Sequence, residues 1–297
     1  MNQSGLLILD KPVGPTSHDL VAVVRRELDM KRVGHTGTLD PFASGLLLVC
    51  VGSATRLVEY FHVLPKAYEA TIVLGDRRDT DDHTGDQIAS SDAWKDFSIT
   101  DVQEGLGHFL GSSEQTPPDY SARRVDGRRA HEAARGGDPL KLAARSIEVS
   151  EIRLLDWSPP SLGVVLTVST GTYIRAIARD LGDRLGCHAH LSNLRRTRIG
   201  SFDLDDAAEP STFAEVGVRI VPPLEAVRWM PQRILSSSEA ADISMGRAVS
   251  VGSLLPPVEP VPGVEESAVA LVLAGELAAI GIRDGDLLKP AKVFCAA

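Results

Sequence analysis

The 297-residue sequence predicts a chain of strands and helices that ends in a small β-rich module, and three stretches carry that expectation. Residues 5–12, GLLILDKP, read as a short buried strand stopped by proline and followed at once by a helix-start signal. Residues 161–186, SLGVVLTVSTGTYIRAIARDLGDRLG, give a strand over 164–169, a glycine-containing turn and then an amphipathic helix. Residues 268–294, AVALVLAGELAAIGIRDGDLLKPAKVF, read as two strands joined at Ala274-Gly275, a turn at Asp284-Gly285 and a closing strand.

The first helix opens at Pro15-Thr16-Ser17. Thr16 and Asp19 have capping-box spacing, and Leu20, Val23, Val24 and Leu28 recur on one face. Ser17-His18-Asp19 are chain neighbours that point in different directions, so they read as a helix start and not as a catalytic trio. Residues 34–56, GHTGTLDPFASGLLLVCVGSATR, form a loop permitted by Gly34, Gly37 and Gly45 and then an apolar segment. Residues 66–75 alternate as a strand that begins beside Tyr68. The acid-rich DRRDTDDHTGD over 76–86 lacks the order and the closing Glu of a calcium loop and reads as a polar turn. Residues 112–137 are polar, basic and weakly periodic, as expected of an insertion or mobile arm. In the helix after 164–169, Ile174, Ile177, Ala178 and Leu181 point inward, while Arg175 and Arg179 share another face. Beyond Val221-Pro222-Pro223, residues 236–246 read as a helix and 255–263 as a proline-rich loop.

The length fits about two domains at roughly 150 residues each. Cys50, Cys187 and Cys295 are far apart and odd in number, which fits a reducing compartment, with Cys50 in the core. The N-terminus lacks the pattern of a signal peptide, and the apolar run over 46–51 falls far short of the roughly 20 residues that span a bilayer. The expectation is a cytoplasmic protein without membrane contact.

A net charge of −9 argues in sum against a nucleic-acid partner, because phosphate contacts need Lys and Arg. The charges are unevenly spread. Arg123, Arg124, Arg128, Arg129, Arg135, Lys141 and Arg145 face fewer acids over 114–146, and Arg175, Arg179, Arg184, Arg195, Arg196 and Arg198 meet only Asp180 and Asp183 over 173–199. Two basic patches on an acidic molecule suit one face that meets a polyanion, or two solvated faces with internal ion pairs.

Asp40 stands between Gly-Thr-Leu and a proline with no second acid, cysteine or metal-ligand cluster nearby. A lone aspartate can be a general base, a nucleophile, a metal ligand or a turn cap. His35 lies five positions away across Gly37, and no His-x3-His or Cys-x2-Cys spacing accompanies it, which disfavours a metal. The Asp-Pro turn remains open on these residues alone.

GHTGTLDPFASGLLLVCVGSATR closely resembles the catalytic motif of the bacterial TruB family of tRNA pseudouridine synthases. DKPVGPTSHD resembles the family's N-terminal motif, KAYEATIVLGDRRDTDDHTG its Lys-x-Tyr strand and acidic turn, GTYIRAIARDLG its helix start, and HLSNLRRTRIGSF its Leu-Arg-Arg segment. The blocks follow the family's order over about residues 5–205. The resemblance implies an α+β architecture, a pseudouridine synthase fold with a mixed, largely antiparallel sheet over residues 1–222. A thumb-like basic insertion over 112–137 and a PUA-like RNA-binding domain over 231–297 complete the expected architecture.

The activity it implies is isomerisation of uridine-55 in the T-arm loop of tRNA to pseudouridine by base flipping, without cofactor or metal, by a monomer with no obligate protein partner. Asp40 matches the catalytic aspartate, as nucleophile at the anomeric carbon or base at its neighbour. Arg175 matches the arginine that pairs with it, and a guanidinium beside a carboxylate favours the ionised form. Tyr68 matches the tyrosine that stacks on the base and assists the closing proton transfer. His35 matches the residue that displaces the nucleotide, Tyr173 and Leu194 match pocket positions, and Lys11 and Lys66 lie in motifs near the site. Arg123, Arg124, Arg128, Arg129, Arg195, Arg196 and Arg198 are candidates for the RNA backbone. The sequence departs from the family at Arg78, where threonine is common, and in the prolines over 256–262. The rival readings are a non-catalytic RNA binder or tRNA-folding chaperone on the same fold, which has no need of the set Asp40, Tyr68 and Arg175, and a hydrolase. The hydrolase lacks both a phosphate loop and a nucleophile elbow.

Overall fold

A computed structural model describes residues 4–125, 127–210, 219–264 and 267–294; Cys295 lies outside them. The chain divides into two compact units, one of Met1–Pro41, Gly45–Leu64 and Ile199–Ala297, the other of Phe42–Ser44 and Pro65–Arg198.

In the first unit the chain runs through β1 (Gly5–Lys11), α1 (Ser17–Glu27), β2 (Val33–His35), β3 (Ser44–Val51) and α2 (Val58–His62). Both β1 and β2 pair antiparallel with β3. β3 is apolar from Leu46 to Val51 because both of its faces are covered. Leu46, Leu48 and Cys50 join Leu6, Leu57 and Phe61 in one core, while Leu47, Val49 and Val51 join Leu7, Leu9 and Val24 in another. The two-residue period of a strand sorts consecutive residues into these separate cores. Burial pushes the Cys50 thiol up to about 12, so the cysteine behaves as an inert core residue. Thr16 and Asp19 close the expected capping box at the start of α1. Leu20 and Val24 are buried as the periodicity requires and Val23 and Leu28 partly so; Val21 is buried as well.

The second unit contains β4 (Lys66–Leu74), β5 (Asp76–Arg78), β6 (Gln87–Ser90), α3 (Ile99–Gly107), β7 (Gly111–Gln115), β8 (Arg124–Val125), β9 (Arg128–Arg129), α4 (Ala130–Arg135), β10 (Arg145–Ser158), β11 (Ser161–Val168), α5 (Ile174–Leu185) and β12 (Ala189–Ile199). Its main sheet has the order β12-β4-β11-β10-β7, with β4, β11, β10 and β7 antiparallel in turn. Strand β11 starts three residues earlier than the sequence predicts, because residues 161–163 still pair with β4. The basic stretch 112–137 is partly sheet, since 112–115 belong to β7. The small β8–β9 hairpin and α4 follow it. Helix α5 buries Ile174, Ile177, Ala178 and Leu181 and ends on Gly186 at φ 71°, the left-handed cap that glycine tolerates.

The chain then returns to the first unit with β13 (Phe202–Asp203), α6 (Pro223–Ala226), β14 (Gln232–Ile234), α7 (Ser237–Ser244), β15 (Val249–Ser250), β16 (Ala268–Leu273), β17 (Glu276–Asp284) and β18 (Leu287–Val293). A five-stranded sheet of order β14-β16-β17-β18-β15 results; β16, β17 and β18 are the three strands that the turn signals predict, and the short β14 and β15 flank them. Ala274 and Gly275 both take positive φ, 50° and 82°, the geometry of a tight hairpin turn. Among the described residues no helix is long and apolar enough to cross a membrane.

Candidate active site

Asp40 lies half-buried in the loop between β2 and β3, and the backbone is held on both sides of it. On the N-terminal side, Ser17 Oγ accepts from the Leu39 N–H at 2.9 Å and donates to the Leu39 carbonyl at 3.3 Å. On the C-terminal side, the Pro41 carbonyl accepts from the Gly14 N–H at 2.8 Å and from Lys11 Nζ at 3.4 Å. The Lys11 side chain is fully buried and also donates to the carbonyls of Pro12 and Pro15, both at 2.8 Å. A buried ammonium is tolerated when carbonyl dipoles surround it. Lys11 therefore ties β1, the turn into α1 and the Asp40 loop together. His35 ends β2; its Nδ1 accepts from the Gly37 N–H at 3.3 Å, and its ring meets that of His18 edge-on at 5.1 Å.

In the second unit, Tyr68 lies opposite Leu166 on the β4–β11 ladder and is 8 % exposed. Lys66 opens β4; burial, and after it the charge of Arg196, push its ammonium down to about 7. On β12, Leu194 and Arg196 share a buried side of the strand, with Arg196 2 % exposed. That burial takes Arg196 out of the set of surface guanidiniums expected to meet phosphate. Arg195, which donates to Ser44 Oγ at 3.2 Å, and the exposed Arg198 remain in it. Arg123, Arg124, Arg128 and Arg129 are all exposed around the β8–β9 hairpin. The ion pairs Arg128–Asp138 and Arg129–Glu132 there are solvent-exposed, so little energy holds those arginines away from another anion.

Arg175, 5 % exposed in the first turn of α5, donates to the Thr80 carbonyl at 2.9 Å and the Tyr120 carbonyl at 3.0 Å, and its Nη1 lies 3.4 Å from Asp82 Oδ2. The acidic turn that raised the question of a metal is thus the seat of this helix. Asp82 Oδ1 accepts from the Thr84 N–H and from the hydroxyls of Thr80 and Thr84, and Asp81 pairs with Arg179 at 3.1 Å. Burial raises Asp81 to about 6 against the opposing pull of Arg179. Arg78 closes the hairpin, donating to Asp76 Oδ2 and the Gly85 carbonyl, both at 2.9 Å. The Arg175–Asp82 and Ser17–Leu39 contacts join residues far apart in sequence, and no local pattern announces them. Among the described residues, no group of three or more His, Cys, Asp or Glu side chains is placed to hold a metal ion.

Comparison with known proteins agrees with the sequence motifs. Residues 25–174 match the TruB family pseudouridylate synthase (N terminal domain), and residues 175–218 match the tRNA pseudouridylate synthase B C-terminal domain. The chain is similar to a protein of Synechococcus sp. (strain WH7803) named tRNA pseudouridine synthase B, 39 % identical with 98 % of this chain and 97 % of that one covered. A protein of the same name from Symbiobacterium thermophilum is 44 % identical, with 83 % of each covered. Among solved structures, a Cbf5-Nop10-Gar1 complex aligns with a TM-score of 0.74 at 28 % identity, covering 98 % of this chain and 85 % of that one. An H/ACA RNP bound to a substrate RNA containing 2'-deoxyuridine aligns at 0.71 and 26 % identity, with 98 % and 85 % covered. Two adjoining domain matches and near full-length identity of this order leave one assignment: the chain belongs to the TruB family of pseudouridine synthases and is an isomerase.

Proposed function

We propose that this chain converts uridine-55 in the T-arm loop of tRNA to pseudouridine, acting as a monomer in the cytoplasm without a cofactor. The observation that carries the reading is the loop of Asp40, a half-buried carboxylate whose flanking residues are fixed by Ser17 and Lys11. Relatives named tRNA pseudouridine synthase B, matched over nearly the whole chain, supply the substrate.

The reaction is an isomerisation: the bond from N1 of uracil to the ribose breaks, C5 bonds to the same carbon, C5 loses its proton and N1 gains one. Asp40 either attacks the anomeric carbon or removes a proton from the neighbouring carbon, and one acid suffices because the released base returns as the acceptor. Tyr68 stacks on the uracil and assists loss of the C5 proton. Arg175 supports the catalytic carboxylate, and its anchors at Thr80, Tyr120 and Asp82 fix where its charge lies. His35 displaces the nucleotide, Tyr173 and Leu194 take the family's pocket positions, and Lys11 and Lys66 belong to motifs near the site. Extruding the uridine costs a few kcal/mol, which stacking offsets. Arg123, Arg124, Arg128, Arg129, Arg195 and Arg198 meet phosphates, which positions the RNA, while loop shape and splayed bases specify it. In this reading residues 1–222 are the catalytic domain, 112–137 its arm and 231–297 a PUA-like RNA-binding domain.

The test is tritium release from T-arm RNA labelled at uracil C5, comparing the parent with Asp40→Asn while both bind the RNA. Release by the parent and none by D40N is the expected result. Binding without release by either would overturn the proposal in favour of an RNA binder or folding chaperone.

A further inference from the structure

The chain leaves the sheet after β7 and re-enters it at β10, with the exposed arginines of the basic arm between them, and the two residues at the base of this excursion are cross-strand partners, Gln115 and Arg145. Both reach the turn that leads into α5. The Gln115 carboxamide, 3 % exposed, donates to the Tyr173 carbonyl at 3.1 Å and accepts from the Tyr173 N–H at 2.9 Å. Tyr173 is the N-cap residue of α5 and makes no side-chain cap of its own. The Arg145 guanidinium lies over Gly171, where an added Cβ would come within 2.3 Å of it, at a φ of 81° that already favours glycine. Just beyond Gln115 the arm is held by α5 in return, through Arg179 to the Thr116 carbonyl at 2.9 Å and Arg175 to the Tyr120 carbonyl at 3.0 Å.

Resting on the proposed function, we infer that Gln115 is a positioning residue that couples the seating of the arm on RNA to the placement of Tyr173 and Arg175. The physical reason is the shape of the contact. A paired amide bridging both backbone groups of one residue fixes that residue's position and peptide orientation together, and a buried one has no water to substitute for it. A displacement of the arm base is therefore passed to residue 173 and, through the rigid first turn of α5, to residue 175. Contiguous hydrogen bonds and a rigid element are the physical carriers of such coupling. The arm's exposed arginines would bind RNA, and the bound arm would hold the start of α5 in its working position.

Gln115→Met keeps the length of the side chain and removes both bonds, whereas Gln115→Glu keeps the acceptor for the Tyr173 N–H. On T-arm stem-loop RNA, Q115M is expected to lower the single-turnover rate at saturating RNA about 10- to 100-fold, since small misplacements of catalytic groups cost factors of this size. Its RNA affinity should stay within about threefold, because a lost transition-state interaction appears in the rate and not in ground-state binding. Q115E should recover part of the rate. Hydrogen exchange gives a readout independent of turnover: RNA should slow exchange over 171–177 in the parent and leave it unslowed in Q115M. If the parent forms pseudouridine and Q115M keeps its rate and its RNA-induced protection, the inference fails. If rate, affinity and melting temperature fall together and Q115E rescues none of them, Gln115 is merely structural and the inference also fails. An inactive parent whose 171–177 protection on RNA binding still depends on Gln115 would overturn the proposed function and leave the coupling standing.

Discussion

Ser17 shows how a site can hang on a residue that carries no chemistry. The sequence places it in the first turn of a capped helix, which it is, but its hydroxyl turns inward and pairs both backbone groups of Leu39, next to Asp40. Ser17→Ala leaves a buried N–H and C=O unpaired, which costs about 1–3 kcal/mol. The looser loop lowers turnover about 10- to 100-fold, to be checked by urea unfolding beside single-turnover assays. Asp40 itself was legible as a displayed carboxylate; what fixes it was not, because Ser17 meets Leu39 only across the fold. Lys66 makes a second residue-level case. Burial holds its folded-state value near 7, against about 10.4 in an unfolded chain. Between those values the unfolded chain keeps a proton that the folded protein releases, so stability from this group rises with pH from about 7 to about 10 and is least favourable below 7. Parent minus Lys66→Met, followed by denaturant unfolding at pH 6 to 10, should show that rise; a difference that is flat with pH would refute it.

At the scale of elements, the parts that follow a local rule were legible in advance: the β1 strand, the capping box of α1, the strand at Tyr68 and the C-terminal hairpin at Ala274-Gly275. Elements defined by distant partners were harder to read. Residues 112–115 look like the start of an arm because β7 carries few apolar side chains, yet they pair with 145–149 along the sheet edge. The acidic hairpin between β5 and β6 looks like a surface turn, yet its Asp82 is as buried as the Arg175 it faces. Removing one member of a buried pair withdraws a carboxylate from the Arg175 guanidinium, so Asp82→Ala should cost about 3–5 kcal/mol. It should also remove the acceptor for Thr80 and Thr84 and so loosen the start of α5. Thermal melting with circular dichroism would read the loss. A comparable loss in the Arg175→Met/Asp82→Ala double variant would count against the ion pair as its origin, since removing both charges should recover part of the stability.

At the scale of the whole molecule, the change of texture after Val221-Pro222-Pro223 reads as a domain boundary, and the five-stranded sheet beyond it has a core of its own built on Leu235, Ile243, Val269, Leu271 and Leu288. That sheet nevertheless belongs to the same compact unit as β1 and β3. Ala270, Leu277 and Ile280 from its other face share one continuous core with Leu6, Leu46, Phe61, Trp229 and Met230. The edges of the contact are polar: Lys292 pairs with Glu59 at 2.7 Å, and the Arg56 guanidinium sits over the Phe294 ring. Composition cannot show this, because the unbroken apolar runs of β16 and β17 state only that both faces are covered and not by what. Each large apolar side chain withdrawn from water contributes about 1.5–3 kcal/mol, while a whole domain is stable by only about 5–15 kcal/mol. Ending the chain at residue 230 removes Leu277 and Ile280 and uncovers their partners around β1 and β3, a loss on the scale of the entire margin. The shortened chain is therefore expected to aggregate or to unfold without a cooperative transition, as read by calorimetry and dye binding. A sharp transition near that of the full chain would show instead that the sheet beyond residue 231 is an accessory that the catalytic half does not need for its fold.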